Sequence, residues 1–403
     1  MATATSLVTT TRASPATYFD ASGVMRAAAN NVLRLDHDPV SKAAKGALIE
    51  GSATNLLSWS EEFDNGAWSK VRSAITANAV VAPDGAMAMD KLVEDASPST
   101  THFVAQTRAI TAGSASTASV VLKAAERSFA HVALLNPSAP FEALRLPVNL
   151  IDGSVGQLIQ ANGASAGTYN VEKLGDDRWR VSVSGVIGGA TTAQVVVFIA
   201  AGLAGSGNTY TGDGVSGLYI WGAQLEAGAF PTSFIKTTSA AATRSADTVS
   251  IPTSAFPYNV AEGTIYADFA IPAGLSSGGQ MLCELNDGTY SNRIYVYRSP
   301  AGNLTANVVT GGVMVATVAM GDLASLVPGS GHRIAFAFAA DDFAASINGA
   351  GPQTDKSGVM PLGIGRLSIG ARITDLLWGG HIKRVVYHPR RISNAELQAM
   401  TVR

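Results

Sequence analysis

The sequence predicts an all-β protein: two antiparallel β-sandwiches in tandem after a short, irregular N-terminal lead-in. Three observations predict it. The 403 residues are 47% hydrophobic but only 14% charged, with 41 glycines; an average domain carries about 25% charged residues, and low charge with many small residues suits strands joined by tight turns. Apolar runs of strand length recur with turn signals roughly every ten residues. Only the last element reads as a convincing helix. The same figures exclude other classes. Disordered chains are charge-rich and apolar-poor, a lone Cys283 cannot form an internal bridge, and 28 basic against 30 acidic residues give no electrostatic footprint for nucleic acid. The most apolar run, Val195 to Ala204, is about half of the ~20 residues that cross a bilayer. The N-terminus lacks the basic and apolar regions of a signal peptide. We therefore expect neither nucleic-acid binding nor membrane insertion.

The elements follow in order. Residues 1–52 are turn-rich: Tyr18 to Gly23 reads as a strand and turn, Val32 to Asp36 as a short alternating strand stopped at Asp38-Pro39, and Ala47 to Glu50 as a further apolar piece. The segment is too small for its own core and must lean on a neighbour. Residues 53–246 are β throughout. Ala118–Lys123 and Ala130–Leu135 are apolar strands, Arg178–Ser184 alternates strictly, Gln194–Ala200 reads as a strand buried on both faces, and Gly217–Gly222 is another strand. Thr237 to Thr243 is a small-residue linker. Residues 247–403 form the second β block, with strands at Gly263–Phe269, Arg293–Tyr297, His332–Phe338 and Gly379–Tyr387 and a hairpin turn at Asn348-Gly349. Ser393 and Glu396 form a capping-box pattern before Leu397 and Met400, which starts the one helix.

The motifs Asn55-Leu-Leu-Ser-Trp-Ser-Glu-Glu-Phe-Asp-Asn-Gly-Ala-Trp68, Ala82-Pro-Asp-Gly85, Asp90-Lys-Leu-Val-Glu94, Leu218-Tyr-Ile-Trp-Gly-Ala-Gln-Leu-Glu226, Pro231-Thr-Ser-Phe-Ile235 and Thr243-Arg-Ser-Ala-Asp247 together resemble a module of tailed-phage tail fibres and head spikes, with relatives in gene-transfer-agent particles. That resemblance implies a jelly roll similar to carbohydrate-binding modules, and it extends upstream through Thr17–Gly23 and Leu35–Glu50. The second block is similar to concanavalin-like, laminin-G-like sandwiches, carried by Gly263–Tyr266, Arg333–Phe336, Ala345–Gly349 and Gly380–Ser393.

Enzyme signatures are missing: the sequence has no Gly-x-Ser-x-Gly elbow, no His-Glu-x-x-His and no phosphate-binding loop. Retaining glycosidases need two carboxyl groups about 5–5.5 Å apart, and no Glu-x-Asp-x-x-Glu strand motif exists. Asp341 and Asp342 are adjacent and read as a turn. Cys283, in an apolar strand, reads as a buried small hydrophobe. A sugar needs an aromatic platform beside polar groups. Trp68, among polar neighbours, and Tyr290, Asn292 and Tyr295, in or beside a polar loop, are the candidate glycan contacts; Trp59, Trp179 and Trp221 read as core. Jelly-roll carbohydrate modules often hold a structural Ca²⁺, and Glu62, Asp90 and Glu226 lie on the elements that would meet to bind one.

The expectation is a non-enzymatic virion spike or fibre subunit, displayed outside a phage-like particle after synthesis in the bacterial cytoplasm. It would bind host cell-surface polysaccharide, contact other virion proteins and form a homo-oligomer, a trimer or pentamer. A capsule depolymerase on the same scaffold and a purely structural decoration remain alternatives.

Overall fold

The computed structural model describes residues 7–138, 142–175, 177–271, 279–320 and 329–403. It is all-β, with one α-helix among the described residues, Asn394–Thr401.

The first sandwich is a jelly roll. Its eight central strands, in chain order, are Met87–Glu94, His102–Ala109, Ala115–Ala124, Phe129–Leu135, Ala143–Asn149, Arg178–Ile187, Thr192–Ala200 and Gly217–Ala227, with Ser73–Val81 and Ala164–Lys173 at the edges of one sheet. The first, eighth, third and sixth are neighbours in one sheet, and the second, seventh, fourth and fifth in the other. All pairings are antiparallel. This interleaving is the double Greek key. Alternation supplies the core: Val195, Val197 and Ile199 face Val132, Leu144 and Leu225 between the sheets. The same strand's other face carries Val196 and Phe198 against Ala105, Ala133 and Phe103. Both faces are covered, which is why Thr192–Ala200 reads as a continuous apolar run.

The second sandwich packs two seven-stranded sheets around Phe269, Phe336, Phe338, Phe343 and Trp378. One sheet runs Thr9–Thr11, Thr248–Pro252, Arg366–Ile369, Gln280–Asn286, Arg293–Arg298, Leu304–Thr310, Val313–Ala319. The other runs Gln353–Asp355, Phe343–Ile347, Gly331–Ala339, Glu262–Ala270, Gly380–His388, Ala44–Ile49, Leu35–His37. The terminal helix starts at a capping box on Ser393 and Glu396 and buries Leu397 against Tyr266, Ala335 and Ala344 on the outer side of the second of these sheets. Asn348 and Gly349, at φ 51° and 78°, form the turn closed by Ala350 N–H to Ile347 O at 2.9 Å.

The lead-in leans on the second block. Thr9–Thr11 pairs with Thr248–Pro252, and Ala44–Ile49 with Gly380–His388. Ile49 is fully buried in the second core. A Cβ at Gly46, φ 100°, would sit 2.4 Å from the Lys383 Cα, so glycine permits this close approach. Thr9–Thr11, Leu35–His37 and Ala44–Ile49 thus complete the second sandwich, the hairpin Ala16–Phe19/Met25–Ala28 packs Met25 against Met89 and Trp221 of the jelly roll, and the jelly roll is inserted between the parts of the second sandwich. The chain enters through Ala53–Asn55 and leaves through Ala242–Arg244, which pair with each other.

A buried ionic knot locks this junction. Asp247 accepts from Arg12 Nη1 at 2.8 Å, Arg34 Nη2 at 2.5 Å and the Glu50 N–H at 3.0 Å. Glu50 accepts from Arg34 at 2.7 Å and from Ser233, with Arg244 Nε 3.7 Å away. All five charged side chains are at least nine-tenths buried. Burial alone would raise the Glu50 pKa, but the guanidiniums of Arg244 and Arg34 and the Ser233 hydrogen bonds hold it well below the usual carboxylate range.

Candidate functional site

The sequence-predicted glycan residues separate into two regions. Trp68 is a core residue, 2% exposed. Its ring lies 4.5 Å from Phe63 and its indole N–H donates to the Trp59 carbonyl at 2.9 Å. A turn, Trp68 N–H to Asn65 O at 3.1 Å, aims the indole inward despite polar sequence neighbours, so it offers no sugar platform.

Tyr290, Asn292 and Tyr295 do come together, on the outer face of the second sandwich. Gln280–Asn286 and Arg293–Arg298 are adjacent strands, and the 287–292 loop joins them. Asn292 builds that loop: its amide donates to Asp287 at 2.9 Å and accepts the Gly311 N–H at 3.1 Å. It is therefore a turn residue, with both ends of its amide committed. Tyr295 is only 6% exposed and packs with Met281, Val309, Tyr297 and Leu376; it is a floor and not an exposed platform. Tyr290 is 51% exposed at the rim.

Three residues beside them escaped the sequence reading. Arg293 lies with its guanidinium 4.7 Å from the Tyr295 ring centre and 5.7 Å from that of Tyr290, and its Nε donates to the Tyr290 carbonyl at 3.1 Å. Arg372 sits 4.8 Å from the Tyr290 ring centre and holds Asp375 through two hydrogen bonds, 2.8 and 2.6 Å. Reciprocal backbone bonds close the Arg372–Asp375 turn, with Ile373 at φ 51° and Leu376 at φ 46°. A β-branched residue in the left-handed region is strained, and such strain concentrates where a structure holds a functional group in place. The third is Glu284, opposite Tyr295 and Ser368. It is fully buried and neither carboxylate oxygen has a hydrogen-bond partner. Burial pushes its pKa up to about 7 against the pull of Arg293 and Arg372. The available signal was an acid inside the apolar strand Met281-Leu-Cys-Glu-Leu285.

The proposed Ca²⁺ ligands do not converge. Asp90 accepts the Phe63 and Asn78 N–H groups at 2.8 and 2.9 Å, one on each oxygen. Glu226 is buried and takes Gln224 and Thr232 donors. Glu62 joins neither. Among the described residues no group of three or more His, Cys, Asp or Glu side chains is placed to hold a metal, so Glu62, Asp90 and Glu226 do not form a Ca²⁺ ligand set. A cavity of about 140 Å³ at the junction is lined by Thr17, Asp36, Lys45, Arg180, Trp221 and His381, among others. Several of its charges are already engaged: Asp36 pairs with His381 at 2.6 Å, and Arg180 donates to the Thr232 carbonyl at 2.7 Å.

No protein-family model and no curated protein matches the sequence. Among solved structures, the chain is similar to the CBM40 module of Ruminococcus gnavus IT-sialidase bound to α2,3-sialyllactose, at 16% identity over 36% of this chain and 84% of that one, TM-score 0.30. It is also similar to the LG4-5 domains of the mouse laminin α1 chain, at 9% identity over 72% and 88%, TM-score 0.25. A third similarity is to Trypanosoma rangeli sialidase, at 11% identity over 77% and 59%, TM-score 0.29. With TM-scores this low, these likenesses bear on neither the ligand nor the activity of this chain.

Proposed function

We propose that the protein is a non-enzymatic subunit of a virion spike or fibre that binds host surface polysaccharide through the Tyr290 face. The observation that carries the glycan reading is the arrangement of an exposed tyrosine beside a guanidinium and a carboxylate with unused hydrogen-bonding capacity, on a rigid sheet and under a strained turn. An aromatic rim over convergent polar groups is the chemistry by which proteins hold sugars. The motifs shared with tailed-phage fibres and spikes support a place on the outside of a particle, assembled as a homo-oligomer with other virion proteins. Many copies would convert a weak site into strong attachment. The non-enzymatic reading is supported by the sequence, which carries no Glu-x-Asp-x-x-Glu strand motif and no other enzyme signature.

The test is adsorption of the purified full chain to encapsulated cells and to isogenic cells lacking capsule, with reducing ends followed in parallel. The proposal expects capsule-dependent binding, weakened about tenfold by Tyr290→Ala, and no new reducing ends. Equal binding to both cell types would remove the glycan reading, and sustained release of ends would make the protein a depolymerase.

A further inference from the structure

The Glu284–Arg293 pair is left incompletely bonded in a way the fold does not require. Arg293 Nη1 lies 3.8 Å from Glu284 Oε1, beyond hydrogen-bond distance. The Arg293 Nε is engaged with Tyr290, but among the described residues no acceptor takes its terminal nitrogens. Both Glu284 oxygens are buried without a donor. Buried polar groups are almost always satisfied, and an unsatisfied one in a native structure calls for an explanation. Elsewhere this chain satisfies its buried carboxylates fully, as at Asp247, Glu50 and Asp90.

Resting on the glycan reading above, we infer that Glu284 and Arg293 together recognise a vicinal diol of a neutral sugar, one hydroxyl donating to the carboxylate and its neighbour accepting from the guanidinium. The charges decide between sugar classes. The charged groups facing Glu284 are Arg293 from its partner strand, Arg366 from the strand on its other side, and Arg372 with Asp375 from the turn above. Arg372 is neutralised by Asp375, whereas Arg366 donates its Nε to the neutral Asn286 amide oxygen at 2.9 Å and keeps its charge. Of these cations Arg293 alone lies within 4 Å of Glu284, so the groups in direct apposition are one cation and one anion. A uronic acid would face the Glu284 charge, and an amino sugar would face the Arg293 charge. A hydroxyl pair, donor and acceptor at once, complements both. Arg293, with its side chain 11% exposed, lies over Glu284 and is tethered to the exposed rim by one hydrogen bond, so the sugar enters by lifting this arm.

The experiment is calorimetric titration of the full chain with malto-, cello-, laminari- and mannohexaose and with hexagalacturonate, from pH 5.5 to 8.5. At least one neutral hexamer binds, and hexagalacturonate binds at least about tenfold more weakly. Affinity for the neutral sugar rises with pH through about 7, as Glu284 ionises. Glu284→Gln lowers that affinity about tenfold, as expected for a hydrogen bond to a charged group, and flattens the pH profile. Preferred binding of hexagalacturonate, a flat profile in the unmodified chain, or unchanged affinity in the folded variant overturns the diol inference while leaving glycan binding standing. Absence of binding to every neutral hexamer overturns the diol inference, while the glycan reading falls only with equal adsorption to encapsulated and capsule-free cells. The profile of the unmodified chain decides the matter even where the variant does not fold.

Discussion

Replacing Asp247 with alanine removes the centre of the junction knot. Its two oxygens take Arg12 and Arg34, and one of them also takes the Glu50 N–H, at 2.5–3.0 Å, with 2% of the side chain exposed. Without it, Arg12, Arg34 and Arg244 remain buried with one carboxylate, Glu50. Breaking a buried ion pair by removing one partner costs about 3–5 kcal/mol, because the other charge stays desolvated. For a domain of this size each kcal/mol moves the midpoint by about 2–4 °C, so the second sandwich melts roughly 6–20 °C earlier. The effect falls on that sandwich because the knot fastens strands Thr9–Thr11 and Ala44–Ile49 to it. Differential scanning calorimetry reads the shift, and limited trypsin digestion reads its location through new cleavage at Arg26 and Arg34. A loss below about 1 kcal/mol, or cleavage confined to the jelly roll, would refute the idea that the N-terminal strands are held by this network.

Other outcomes follow from single residues. Burial holds the Cys283 thiol up to about 12, so the folded chain resists iodoacetamide at pH 8 and reacts only in denaturant; rapid labelling of the native protein would contradict its place in the core. Burial also lowers His131 to about 4. The unfolded chain takes up that proton first, so the jelly roll loses stability as pH falls from about 6.5 towards 4, and His131→Leu removes that slope; an unchanged slope would place the titration elsewhere. Glu284 has the opposite sign: its raised pKa favours the protonated folded state, so stability falls as pH rises from about 4.5 to 7. Glu284→Gln should therefore stabilise the protein at pH 8 by about 3 kcal/mol, measured by urea unfolding. Ser393→Ala removes the helix cap and costs about 1 kcal/mol.

Much of the fold was legible because strand periodicity is local. The buried run at Gln194–Ala200, the Asn348-Gly349 turn and the Ser393–Glu396 cap all depend on near neighbours in sequence. The role of Thr243-Arg-Ser-Ala-Asp247 did not emerge in the same way, although the motif itself stood out. Its partners Arg12, Arg34 and Glu50 lie some 200 residues away, and no local pattern announces a strand completed from the far end of the chain. Trp68 misled because polar neighbours suggest exposure, whereas a single turn bond reverses the direction of the ring. Glu284 was hidden by a bulge. The register shifts between Met281 and Cys283, so Leu282 and Cys283 both enter the core and simple alternation no longer says which face the acid takes. Tyr290 was legible as a loop aromatic beside amides and hydroxyls, but its guanidinium neighbour Arg372 arrives from a distant turn.

A saccharide held by the Tyr290 face would lie on the outer face of the second sandwich, at the 287–292 loop. Hydrogen–deuterium exchange of the full chain, with and without the polysaccharide of its host capsule, tests this most directly. Slowed exchange is expected in the 287–292 loop, the Arg293–Arg298 strand and the Arg372–Asp375 turn, with the jelly roll unchanged. Protection confined to the jelly roll, or no protection at saturating polysaccharide, would contradict this placement.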